Sequence, residues 1–114
     1  MVNVTGQARA PAHLSKHSKA IFRSIVADYR LGDEPAALRV LTLALEASDR
    51  AEQARLALAE HGLTYTDRFG QPHSRPEIAI ERDSRLATAR LFRELSLDSE
   101  FEDARVPRVN GARG

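Results

Sequence analysis

"LGDEPAALRVLTLALEASDRAEQARLALAEHG", residues 31–62, decides the fold. Asp33 or Glu34 suits its N-cap, Pro35 its first turn, and Gly62 the left-handed position that ends a helix. Between them the apolar residues form two stripes. Leu38, Leu41, Leu45, Leu56 and Ala59 make the first, interrupted by Ser48 and Glu52. Val40, Leu43, Ala47, Ala51, Ala54 and Leu58 make the second, and the polar arc left over is narrow. A helix apolar on two sides needs two partners. The small residues Ala47, Ala51 and Ala54 let another helix approach closely, so the second stripe is read as a subunit interface, against the alternative of a fully buried central helix.

The flanking segments supply shorter helices. Ser15 is a good N-cap for "SKHSKAIFRSIVADYR", in which Leu14, Ile21, Phe22, Ile25, Val26 and Tyr29 share one side at about 100° per residue. Lys16, Lys19, Arg23 and Arg30 fall within roughly 60° of one another on the opposite side, with Ala20 and Ala27 among them. "PEIAIERDSRLATARLFREL" is the third helix, with a main stripe of Ile80, Ala87, Leu91, Phe92 and Leu95. Ser84 and Thr88 share that side, Glu81 and Arg85 form an i,i+4 pair, and Ile78 and Leu86 point elsewhere as further interface candidates.

The connector is a tight, irregular, hairpin-like element. "LTYT" alternates like a strand, "DRFG" has Asp67 and Gly70 at the first and fourth positions of a type I turn, and Pro76 leads into the last helix. Residues 1–13 read as a flexible arm, 14–97 as one helical domain that oligomerises, and 98–114 as a flexible tail with Phe101 and Val106 as anchors. The expected fold is all-α: a helical hairpin with a long central helix plus a third helix, with a subunit interface on the second stripe.

Composition narrows the function. The 114 residues allow one modest domain, and the absence of cysteine removes disulfide and thiolate chemistry. No stretch is long or apolar enough for a membrane span or signal peptide, which predicts a cytoplasmic protein with no membrane partner. The net charge of +1 conceals blocks: residues 1–30 carry five Lys/Arg against one acid, and residues 31–61 three against six. Asp67, His73, Glu77 and Glu81 match no zinc spacing, and "RFGQP" lacks a phosphate-loop signature. No catalytic residue, metal or cofactor is expected. The cations of the first helix, with Arg9 assisting, are the expected phosphate contacts.

Two stretches carry a resemblance: "APAHLSKHSKAIFRSIV" at 10–26 and "HGLTYTDRFGQPHSRPEIAIERDSRLATARLFRELSLD" at 61–98. The chain resembles phage terminase small subunits through Pro11 to Ser15 and the connector residues Gly62, Leu63, Asp67, Gly70 and Pro76. The step Glu81-Arg82-Asp83 and the close Leu95, Leu97, Asp98 complete the likeness. The long helix departs from that family in being Ala-rich. The resemblance implies a non-catalytic ring that binds viral double-stranded DNA in the host cytoplasm and passes it to the large subunit, which holds the ATPase and nuclease. It makes the connector a structural element setting the angle between helices, with Arg68, Arg75 and His73 turned toward a neighbour or DNA. Two other classes fit the residues: a dimeric helix-turn-helix regulator, and a structural adaptor with no DNA affinity.

Overall fold

The computed structural model describes residues 8–95. The assigned tail and the two motif residues Leu97 and Asp98 lie outside them, as do residues 1–7. Three helices and one hairpin follow in order: α1 Lys16–Tyr29, α2 Pro35–His61, β1 Thr64–Thr66, β2 Pro72–Ser74 and α3 Glu77–Glu94.

The helix ends follow local chemistry. Ser15 caps α1 by accepting the Ser18 N–H at 3.1 Å. Arg30 closes α1 in the left-handed region (φ 56°), donating its N–H to the Val26 carbonyl. Pro35 opens α2 with no side-chain cap from Glu34, and Gly62 ends it at φ 85°, donating to the Leu58 carbonyl at 2.8 Å. Its ψ of −179° takes Gly62 out of the left-handed helical well into a region that essentially only glycine occupies.

α1 supplies the first partner of α2. Leu14, Phe22 and Val26 meet Leu41 and Leu45, and the last two are 0% and 1% exposed. α3 supplies the second. The hairpin reverses the chain, so α3 returns antiparallel along α2, and the Thr88 hydroxyl donates to the Ala44 carbonyl at 3.5 Å as well as to the Ser84 carbonyl at 2.9 Å. Phe92 and Leu95 at its far end reach the α1–α2 core.

This arrangement covers part of the second stripe within the chain. Ala47 and Ala54 are 7% and 4% exposed within a single chain, so they are not available to a neighbouring copy. Val40, Leu43, Ala51, Leu58 and Ile78 are half-buried, and only Leu86 of the expected interface set stands well clear, at 55% exposure. Small side chains at 47 and 54 allow close helix approach, and the partner they admit is α3. The connector is likewise more regular than expected: an antiparallel pair in the register Thr64 to Ser74, Tyr65 to His73 and Thr66 to Pro72.

Residues 8–13, read as part of a flexible arm, pack on the helices. Ala8 is buried in the α1–α2 core with Ala10 beside it, and His13 Nε2 lies 2.7 Å from Glu46 Oε2. The contact that docks α1 is polar. Asp49 of α2 accepts the Ser15 N–H at 2.8 Å, the Ser15 hydroxyl at 2.7 Å and the Ser18 hydroxyl at 2.6 Å. α1 has no acid in its own first turn, so this carboxylate also complements its N-terminal dipole. Burial acts to raise the Asp49 pKa. The Ser18 hydroxyl, the Ser15 N–H and hydroxyl, and the nearby His13 outweigh it and hold the group below its ordinary range.

A carboxylate depressed on folding contributes stability above its unfolded pKa and loses that contribution as pH falls through the folded value. Asp49→Ala is therefore expected to lower the unfolding free energy by about 2 kcal/mol at pH 7, the scale of hydrogen bonds to a charged group. In urea titrations the gap between variant and wild type closes as the pH drops below about 4.

Candidate nucleic-acid interface

The buried row of α1 is Ser18, Phe22 and Val26, one residue per turn. Lys19 and Arg23 each follow a member of that row, about 100° around the helix, so the cations flank the core rather than oppose it. The consequence is visible in exposure: Lys19 is half-buried while Lys16 and Arg23 are exposed. Arg30 does not continue the row, because its left-handed backbone leaves the helical path at that residue. The helical row is thus Lys16, Lys19 and Arg23, with the exposed Arg9 and Arg30 on the adjoining loops. Among the described residues none of these five cations is in a salt bridge.

Three acids of α2 are engaged elsewhere, whereas Asp28, Asp33 and Glu34, at and beyond the end of α1, stand exposed. Asp49 faces Ser15 and Ser18, and Glu46 faces His13. Glu52 binds Arg55 at 2.7 and 2.9 Å. Its pKa is lowered chiefly by that hydrogen bond, and the Arg55 pKa is raised by it. Glu81 holds Arg85 at 3.1 Å in the i,i+4 pair expected from the sequence.

The hairpin is organised by Asp67. Its Oδ1 accepts the N–H groups of Phe69 and Gln71 at 2.8 and 2.9 Å, and Oδ2 lies 2.8 Å from His73 Nε2. Its carbonyl accepts the Gly70 N–H at 3.0 Å, the i to i+3 bond of the expected turn, and Gly70 adopts φ 81°. The Gln71 N–H bond, then His73 and then the Phe69 N–H keep the Asp67 carboxyl below its usual range, against a smaller opposing effect of burial. Tyr65 stacks on His73 with centroids 5.3 Å apart, and the guanidinium of Arg75 sits 6.0 Å from the Tyr65 ring. Pro76 stands at the N-cap of α3.

Of the imagined metal or acid–base set, the fold brings Asp67 and His73 together but gives Glu81 to Arg85. Among the described residues no group of His, Asp and Glu could hold a metal ion, and no helix is long and apolar enough to cross a membrane. Among the described residues Arg75 Nε and Glu77 Oε1 are out of water with no hydrogen-bond partner.

A groove of about 780 Å³ lies between α2 and α3, floored by Ala51, Leu56 and Ala89 and edged by Glu52, Arg55, Glu81 and Arg85. Leu56 is 52% exposed there because α1 covers only the first half of α2. Sequence reasoning placed Leu56 in a covered stripe, and helical period carries no sign of where a packing partner stops. It also passed over Phe69, whose place at the third position of the "DRFG" turn was the available signal.

Comparison with protein-family models, curated proteins and solved structures gives no match.

Asp67→Ala is expected to open the hairpin while leaving the helices folded: amide exchange at Phe69, Gly70 and Gln71 accelerates by about tenfold or more, with helical amides unchanged. Since the Asp67 pKa is depressed on folding, wild-type protection at these amides fades as the pH falls below about 4. Gly70→Ala meets no steric obstacle and is opposed only by its backbone angle, so a smaller local loss of about 1 kcal/mol is expected.

Proposed function

We propose that the protein acts as a terminase small subunit, binding viral double-stranded DNA as a ring-shaped homo-oligomer and presenting it to the large ATPase and nuclease subunit. The observation that carries this reading is the row Lys16, Lys19 and Arg23 on one flank of α1, unpaired among the described residues beside an α2 whose acids are largely engaged. The resemblance in the opening segment and connector supports it.

The physical logic is avidity. A phosphate contact from one lysine is weak and screened by salt, whereas a ring of such rows presents many at once at high effective concentration. Assembly needs an apolar surface not already spent within the chain. The groove over Leu56 and Ala89, with Leu86 on the outward face of α3, supplies that surface for a second copy. The docking segment for the large subunit in this reading is the stretch from Asp98, beyond the described residues.

Charge reversal at Lys19 and Arg23 together is expected to abolish salt-sensitive retention of duplex DNA while circular dichroism and native mass stay unchanged. Retained binding overturns the assignment of the row. Native mass spectrometry of the wild type is expected to show a closed ring of several subunits, and Leu56→Asp to shift it toward single copies. A dimer protecting a palindromic site would favour a regulator instead.

A further inference from the structure

We infer that the tip of the β-hairpin is a second contact for duplex DNA, with Arg68 reaching phosphates and Phe69 offering its ring to the groove. The inference rests on the DNA-binding reading above and adds to it a separate element with its own chemistry.

Both strands of the hairpin are exposed at every residue. An isolated two-stranded ribbon is marginal in water. This one is held by the hydrogen bonds that converge on Asp67, by the Tyr65–His73 stack and by the Arg75 N–H to the Leu63 carbonyl at 2.9 Å. The structure therefore keeps an element rigid that buries little of itself. What that rigidity presents is Phe69, 76% exposed, with the Arg68 guanidinium 4.9 Å from its ring centroid.

The charge balance selects the partner. Residues 63–75 hold Arg68, Arg75 and a single acid. That acid, Asp67, spends both oxygens inside the turn. The outward charge of the tip is positive, which suits a polyanion better than a neutral apolar groove. A narrow ribbon of this kind fits a groove of duplex DNA, where cationic and apolar side chains can act together. Ser15 bonds Asp49, and the helical rise of α2 from Asp49 to Gly62 places the base of the hairpin about 20 Å along that axis from the start of α1. The tip is thus an element separate from the α1 row.

The test uses the full chain and a 25-base-pair duplex, with affinity measured by fluorescence anisotropy between about 50 and 200 mM salt. Arg68→Ala is expected to weaken binding several-fold and to flatten the slope of log affinity against log salt by about 1, with Arg68→Lys restoring the slope. Phe69→Ala is expected to weaken binding by about 5- to 10-fold at unchanged slope, because it removes apolar contact and no charge. Both side chains are exposed, so helical content should not change. If Arg68→Ala and Phe69→Ala bind like wild type while the Lys19/Arg23 reversal fails to bind, the inference is overturned and the proposed function stands. If the two tip variants lower the native mass with affinity per protomer unchanged, the tip is a subunit contact and the inference is again overturned. If the wild type shows no DNA affinity at low salt, both fall together.

Discussion

The Asp49 carboxylate is the constraint on which the rest of the structure depends. It reaches from α2 to the start of α1 and satisfies the Ser15 N–H and the hydroxyls of Ser15 and Ser18. The Ser15 donors are open to water, but Ser18 is only 1% exposed, so its hydroxyl would lie unpaired in the core without Asp49. Hydrophobic contact alone would let a short helix slide or rotate on its partner, since apolar burial has no direction. Hydrogen bonds to one carboxylate remove that freedom and set which flank of α1 faces water. The orientation of Lys16, Lys19 and Arg23 is thus a consequence of a polar contact made by the residues beside them, Ser15 and Ser18.

The core is divided accordingly. α1 and residues 8–14 seal the first half of α2 with large side chains, whereas α3 lies along the alanine side, where Ala47 and Ala54 allow close approach. Beyond the start of α1 nothing among the described residues covers Leu56, and the groove that opens there follows from a first helix shorter than the second. The hairpin solves a different problem. It reverses the chain between α2 and α3 with two positive-φ glycines and one acid, and contributes almost nothing to the core.

Electrostatics separates the faces more sharply than the net charge suggests. Of the acids around α2, Asp49, Glu46 and Glu52 each meet a partner within the chain, and so does Glu81 of α3. The cations of α1 meet none among the described residues. A nearly neutral chain can therefore present a cationic flank, because Glu46, Asp49 and Glu52 of the facing helix are paired within the chain. That is the physical basis on which a polyanion is proposed as the partner, and it would be lost if the acids of α2 were rotated toward α1's exposed side.

Much of this was legible in the residues themselves. The Ser15 cap, the Gly62 stop, the turn from Asp67 to Gly70 and the apolar period of all three helices are local chemistry, acting over a few residues, and the chain determines them without help from distant parts. Only the tertiary structure decided what covers the second stripe of α2, which way the cation row of α1 faces, and that Arg30 leaves it. Periodicity states which side chains must leave water, and α3 of the same chain or a helix of another copy answers that demand equally well. Asp49 read as one more residue of a solvated arc, because its partners lie 31 and 34 positions away and a contact across that distance leaves no mark on its neighbours in sequence.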